Sequence, residues 1–408
     1  MWVLNPPMRS NAETKTGSAE HRPTRETSKQ DGRSSVQVQL AAFLRTTLPL
    51  NLAALEQYDN DRYHSVWLPD HMVSFWPDSI WTPEFTDLAV QSPSPHRHLD
   101  ALAVAGAAAA LTRRVPIATK VVDTVRRHPS LLAQTALTLD HLSQGRFILG
   151  LGSGEMENTV PYGFDFSKPV SRFEESLKVI RLLWESEGPV DFEGQFYRLQ
   201  HARLDTEPFE GRFPRIYVGS IGPRMLEITG RYADGWFPAG VKSPAEFAAK
   251  LAVIHRSAER AGRDPLAIVP TYMTPCLIGD DAEVAAMLEA PLIKSFVLQI
   301  PAAQMREHGF AHPMGETWRG IHDINPGLLT RDVIIDLLRR VDVNSIRAIV
   351  PNGSPKRIAQ HYKSYVEAGA RVVKVLDYGG QAGTKFGASS ARKVREAEDE
   401  LLRLVGPA

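Results

Sequence analysis

Two textures alternate along most of this chain. Short, uninterrupted runs of apolar and β-branched residues are each followed by a longer stretch in which apolar residues recur every three or four positions. The runs cover residues 36–44, 65–68, 115–122, 147–151, 215–218, 235–238, 268–277 and 371–376. Unbroken apolarity of that length suits strands buried on both faces, as in a parallel sheet. The intervening stretches carry helical stripes. Leu131, Leu132, Thr135, Leu139 and Leu142 precede Gly145, which stands where a helix end takes glycine. Phe173, Leu177, Ile180 and Trp184 lead to Gly188 and Pro189, and Ile358, Tyr362, Tyr365 and Val366 run from Ser354-Pro355 to Gly369. Strands and helices alternating in this way predict an α/β fold, a (β/α)8 TIM barrel. A doubly wound sheet is the alternative, because periodicity does not say whether a sheet closes.

Residues 5–35 contain no Val, Ile, Leu, Phe, Tyr or Trp. Such a segment buries too little apolar surface to offset the entropy of ordering it, so residues 1–35 read as a disordered tail before a single domain, 36–408. Three segments exceed the bare repeat: 72–99, 195–213 and 292–327. The first two are read as following strands two and four, at the barrel rim where substrate pockets form. Phe75, Trp76, Trp81 and Phe85 in the first predict an aromatic, apolar-lined pocket.

Composition narrows the functional classes. Lysine plus arginine equals aspartate plus glutamate, 47 against 47, which gives no long-range attraction for nucleic acid or an anionic membrane. Cys276 is the only cysteine, so neither an intrachain disulfide nor a cysteine zinc site can form. The longest apolar uncharged stretch, 101–112, is too short for the ~20 residues of a membrane span, and no secretory signal opens the chain. A cytoplasmic protein acting on a small molecule is expected.

Polar residues at strand ends carry most weight, because that rim is where barrel enzymes work. Trp67-Leu68-Pro69-Asp70-His71 ends strand two; a histidine beside a carboxylate is a candidate proton donor near neutral pH. The same pair could instead hold a loop together. Gly150-Leu151-Gly152-Ser153-Gly154-Glu155 ends strand four, offering close-approach backbone and a carboxylate, without the last glycine of a dinucleotide fingerprint. Gly219-Ser220-Ile221-Gly222-Pro223-Arg224 follows strand five and opens a helical stretch, a candidate anion site or an ordinary turn. His96-Arg97-His98 and His308 with His312 read as solvated loop histidines, no recognised ligand set being complete, so no metal is expected.

These signatures in this order resemble the bacterial luciferase-like superfamily, specifically its branch using the deazaflavin coenzyme F420. The resemblance is densest at Trp67–His71 and in the stretches RHPSLLAQTALTLDHLSQGRFILGLGSG, KPVSRFEESLKVIRLLW and PRIYVGSIGPRMLEITGRYADGWFP. The segments EMENTVPYGFDFSKP, QHARLD, HGFAHP and GIHDINP are similar to mycobacterial phthiodiolone ketoreductase-like enzymes.

The resemblance implies roles. Asp70 and His71 match a cofactor-adjacent pair, with His71 near the ring; His71 is then the preferred proton donor, and Asp70 would orient it or sustain its charged form. Glu155 matches a carboxylate near the deazaflavin ring, and Gly154 and Asn158 its neighbours. Lys120 and Val121 flank a cis peptide that buttresses the ring; Gly219, Ser220, Gly222 and Pro223 receive the cofactor's phosphate. Two departures favour an apolar substrate over a sugar phosphate: Phe75 with Trp76 where the branch's sugar-phosphate dehydrogenases have one tryptophan, and Lys120 where they have a small polar residue. Lys120 is also a candidate for binding the cofactor's acidic tail. The implied function is hydride transfer between deazaflavin C5 and a carbonyl or alcohol carbon, in a homodimer. The alternatives are an FMN-dependent monooxygenase and a non-catalytic deazaflavin-binding protein.

Overall fold

The computed structural model describes residues 38–406, so the predicted tail lies outside the described residues. All eight predicted strands form: β1 (Gln39–Phe43), β2 (Tyr63–Leu68), β3 (Ile117–Thr119), β4 (Phe147–Gly152), β5 (Arg215–Gly219), β6 (Gly235–Phe237), β7 (Val269–Ile278) and β8 (Val372–Asp377). Each pairs in parallel with the next, and β8 returns to β1 through Gln39 opposite Val372. The sheet closes, which settles the barrel against the doubly wound alternative.

The side-chain alternation explains the continuous apolar runs. Ala41, Trp67, Ala118, Ile148, Tyr217, Phe237 and Val372 point inward and fill the barrel. Their sequence neighbours Leu40, Val66, Ile117, Leu149, Ile216, Trp236 and Val373 point outward to the helices. Both faces are dry, so both are apolar. The helices after β2 to β8 are α1 (Ala101–Leu111), α2 (Pro129–Ser143), α3 (Pro169–Glu185), α4 (Pro223–Tyr232), α5 (Pro244–Arg260), α6 (Pro355–Glu367) and α7 (Thr384–Val405). None of the described helices is long and apolar enough to cross a membrane.

Local readings need three corrections. The predicted third strand breaks after Thr119: a cis Lys120–Val121 peptide redirects the chain, and Val122–Asp123 then pairs with the end of β4. In α2 the buried face is Leu132, Ala136, Leu139 and Ser143, whereas Leu131 and Leu142 are exposed. Alanine and serine escape a count of large residues, so the stripe read from leucines alone is rotated. Segment 195–213 follows α3, not β4. Its start closes a hairpin, Val190–Glu193 against Arg198–Ala202, on the connection back to β5. The tip docks on α3, where Glu175 accepts the backbone N–H groups of Gln195, Phe196 and Tyr197, and it lines no part of the cavity described below.

The other two insertions do sit at the carboxyl-terminal rim. Segment 72–99 follows β2, and the larger segment 279–354 follows β7. Together they build a second apolar core, with Ile80, Leu277, Met287, Leu298 and Ile334 buried and Phe75, Trp76, Trp81 and Phe85 packed on it.

Candidate active site

The Pro69 carbonyl accepts the Thr46 hydroxyl (2.8 Å), anchoring the turn that carries Asp70 and His71 off β2. Asp70 is buried, and its carboxylate does not orient His71. It accepts Arg126 Nη2 at 2.6 Å and Arg127 through Nη1 and Nη2 at 2.6 and 3.1 Å. Arg126 is aimed there by Asp123, whose carboxylate caps the Val125 and Arg126 N–H groups and pairs with the Arg126 guanidinium. Arg127 also reaches Asp100, the N-cap of α1 (2.7 Å). Asp70 thus ties the loops after β2 and β3 together, which is the loop-holding alternative raised for the Asp-His pair. The two arginines were missed; the Asp-x-x-Arg turn spacing at Asp123 was the available signal.

Glu155 takes the partner's place beside His71, with its Oε2 3.4 Å from His71 Nδ1. Asn158 organises the group. Its Oδ1 accepts the N–H groups of Met72 (2.6 Å) and Val73 (3.1 Å), which fixes the amide's orientation. Its Nδ2 then reaches Glu157 Oε1 at 2.9 Å, with Glu155 Oε2 and His71 Nδ1 both at 3.2 Å. Burial alone would lower the His71 pKa; the charge and hydrogen bond of Glu155 outweigh it and hold the imidazole above its ordinary value. Burial and the neighbouring Glu155 charge raise Glu157. Burial opposes but does not prevent a lowered Glu155, because His71 favours its ionised form. The two carboxyl groups are thus pushed in opposite directions, Glu155 toward the ionised and Glu157 toward the protonated form.

Glu157 was also missed, although the E-x-E-N run that carries it is plain in the sequence. Among the described residues, His71, Glu155 and Glu157 are the one grouping whose composition and ligand atoms, within 4.8 Å of one another, suit a cation. An amide nitrogen already lies within hydrogen-bonding reach of all three.

Of the four histidines expected in solvated loops, His308 is exposed as expected, while His96, His98 and His312 are half-buried or buried. His96 Nδ1 accepts the Ser74 N–H (3.1 Å), and buried His312 bonds the Val297 carbonyl (3.0 Å). His98 lies 5.6 Å from His71, ring centre to ring centre.

The other rim loops converge on the cis peptide. A Cβ at Gly152 would lie 2.7 Å, and one at Gly219 3.3 Å, from Val121 Cγ2, so glycine is what lets the ends of β4 and β5 approach that side chain. Gly154 sits at φ +92°, beside Asp123 and Phe166. Gly222 is the N-cap of the ten-residue α4, with Pro223 at its first position and nothing within 4 Å of where a Cβ would stand. No side chain caps this helix start, so its first-turn amides are left for a ligand. Ser220 is different: its buried hydroxyl is paired with Thr229 (2.8 Å), its N–H donates to the Phe237 carbonyl (3.1 Å) and its carbonyl accepts the Trp236 indole N–H (3.0 Å), so the expected phosphate donor is spent inside the fold. Arg224 turns to Glu174 (3.0 Å) and Ser171 (2.8 Å), away from the loop. Lys120 points into the barrel mouth, its Nζ 4.9 Å from the Trp67 ring centre and 4.5 Å from that of Phe237.

A cavity of about 610 Å3 opens beside this rim, lined by His71, Phe75, Trp76, Trp81, Leu376 and Tyr378 among others. Phe85 is not part of it; Arg331 lies over its ring (4.9 Å). His71 is thus shared between the carboxylate–amide group on one side and an aromatic cavity on the other.

The luciferase-like monooxygenase family model matches residues 34–371. The chain is 35% identical over 342 residues to the phthiodiolone/phenolphthiodiolone dimycocerosates ketoreductase of Mycobacterium tuberculosis, covering 82% of this chain and 88% of that protein. An F420-dependent glucose-6-phosphate dehydrogenase of Nakamurella multipartita is 37% identical over 163 residues, 39% of this chain and 47% of the dehydrogenase. Among solved structures, an F420-dependent secondary alcohol dehydrogenase in complex with an F420-acetone adduct shares the fold, with TM-score 0.65 and 20% identity, over 91% of this chain and 98% of that one. The closed parallel barrel, its glycine-lined rim and these matches agree: the chain belongs to the luciferase-like monooxygenase family.

Proposed function

We propose that this protein is an F420-dependent ketoreductase that reduces a carbonyl, or oxidises the corresponding alcohol, on a largely apolar substrate. The observation that carries the reading is the position of His71, held in its charged form by Glu155 while its ring faces the aromatic cavity. The names of the mycobacterial and Nakamurella relatives supply the ketone and the cofactor class.

The residues present fit a planar tricyclic ring bearing a phosphorylated tail. Gly152 and Gly219 bring bare backbone against Val121, the residue on which the resemblance seats the ring. The uncapped amides after Gly222 suit a phosphate, with the positive end of α4 behind them. A deazaflavin bound there supplies a hydride carrier that does not activate oxygen.

The chain's own residues do the rest. Phe75, Trp76 and Trp81 exclude water and place an apolar substrate with its carbonyl toward His71. The alkoxide formed on reduction takes a proton from the His71 imidazolium, which Glu155 has kept charged. Asn158 holds both groups by fixing the loop after β4 to the backbone at Met72 and Val73. In the oxidative direction neutral His71 takes the alcohol proton.

The test is to titrate the protein with F420 and with FMN, then to screen ketones and alcohols, long-chain ketones included, with whichever binds. F420 binding with carbonyl turnover is expected. Replacing His71 with alanine should cut turnover by about 100-fold or more while leaving cofactor affinity nearly unchanged. Tight FMN binding with oxygen consumption would replace the reading by a monooxygenase, and tight F420 binding without turnover by a carrier.

A further inference from the structure

Lys120 is a basic side chain placed where no anion of the described residues answers it. It is half-buried, and its Nζ sits over the faces of Trp67 from β2 and Phe237 from β6, in the mouth of the barrel. Burial is the sole cause that moves its pKa, pulling it down to about 7. No carboxylate, imidazole, phenol or guanidinium on the surrounding strands lies close enough to contribute. Trp67 and Phe237 belong to the apolar inward layer of the barrel, against which Phe43, Val121 and Met273 pack. Two aromatic faces stabilise a cation less well than water does, so the amine is held ready for a charge that arrives from outside.

We propose that Lys120 is the counter-charge for the ring of the bound cofactor, taking up a proton when an anionic deazaflavin settles over the barrel mouth. The inference rests on the F420 reading above and adds to it the residue that matches the ring's charge. A deazaflavin carries an acidic 8-hydroxyl whose ionised form spreads negative charge over the ring; an oxidised flavin ring is neutral at the same pH. The proton balance is simple. Below pH 7 the free amine is already charged and little is taken up. Above it the free amine is neutral, and the bound ring raises its affinity for a proton drawn from solvent. Each unit by which the ring raises the amine's pKa corresponds to about tenfold tighter ring binding at low pH. The position also sets aside the acidic-tail role, since the side chain points into the barrel, packed on Trp67 and Phe237.

The experiment uses the full chain at pH 8, calorimetry in buffers of different ionisation enthalpy, and the absorption of the bound ring. The probes are F420, the tail-free deazaflavin nucleoside that lacks phosphate and glutamates, and riboflavin. Wild type should take up close to one proton per deazaflavin, equally with and without the tail, while the bound ring keeps its phenolate band; riboflavin should draw none. Lys120→Met should bind the nucleoside about tenfold more weakly, and any proton it takes up should go to the ring, with loss of the phenolate band. Lys120→Arg, always charged, should keep the band without proton uptake, and it serves where Lys120→Met does not fold. Lys120→Met behaving as wild type, uptake confined to tail-bearing F420, or a wild-type ring that loses its phenolate band would each overturn the assignment to Lys120. Failure of wild type to bind either deazaflavin is a different result, and brings down the cofactor reading itself.

Discussion

His71 Nδ1 lies 3.4 Å from Glu155 Oε2, so the imidazole proposed as proton donor is paired with a carboxylate from the loop after β4 and not with its sequence neighbour Asp70. The pairing holds the His71 pKa above its ordinary value, and the protonated ring persists to higher pH than a free histidine would. Ketone reduction needs that protonated form, so kcat/KM for reduction should fall as pH rises through the elevated pKa, and alcohol oxidation should rise through the same range. Glu155→Gln removes the charge and should move both limbs to lower pH. Paired pH–rate profiles of wild type and variant check this; superimposable limbs would mean that Glu155 does not set the His71 charge.

Glu157 tests which form of its carboxyl group the site holds. A neutral carboxylic acid is well copied by an amide, so Glu157→Gln should leave the His71 limb in place, whereas a carboxylate lost at this position would shift it downward. Glu157→Leu removes the acceptor for Asn158 Nδ2 and should loosen the group, lowering kcat about tenfold. The same pH–rate measurements, with kcat and KM resolved separately, distinguish the two.

Asp70 belongs to stability more than to proton transfer. Asp70→Asn takes the buried charge from Arg126 and Arg127, whose side chains are only 8% and 17% exposed. Leaving a buried charge wholly uncompensated costs about 3–5 kcal/mol, but Arg126 keeps Asp123 and Arg127 keeps Asp100, so a smaller loss of about 1–3 kcal/mol is expected. Denaturant unfolding should register a loss of that order, while the His71 limb moves to lower pH by less than in Glu155→Gln, because the Asp70 charge supports the imidazolium less than Glu155 does. A stable Asp70→Asn whose limb moves as far as that of Glu155→Gln would return Asp70 to the proton path.

Trp76 should decide affinity for the apolar body of the substrate. It is half-buried on the cavity wall, its ring centre 6.1 Å from that of Tyr378. Truncation to alanine removes contact worth about 1.5–3 kcal/mol to a well-packed apolar group, so kcat/KM for a long-chain ketone should drop at least tenfold. A short ketone such as acetone should be affected far less. Equal losses for both would place the cavity outside the substrate path.

The extent to which the site was legible follows from how each residue acts. His71, Glu155 and the glycines of the β4 and β5 rims stand at strand ends, and strand ends are marked by the apolar runs before them. The spacings that carry Arg126 and Glu157, Asp-x-x-Arg and E-x-E-N, are local, but both arginines act on Asp70, which is remote in sequence, and Glu157 stands two residues from another acid, so spacing alone did not single them out from solvated charges. Ser220 shows the converse: its place in the loop was correctly read, but its hydroxyl turns inward to Thr229 because α4 packs there.

By itself the sequence determined the eight strands, their burial on both faces and the rim on which chemistry would sit, because continuous apolarity and strand–helix alternation are local properties of the chain. Closure of the barrel, the exchange of Asp70 for Glu155 as the partner of His71, and the placing of the Lys120 amine beneath the mouth were decided only by the tertiary structure. Each depends on which side chains meet across loops tens of residues apart, and those meetings are set by packing and charge pairing that no period in the sequence records.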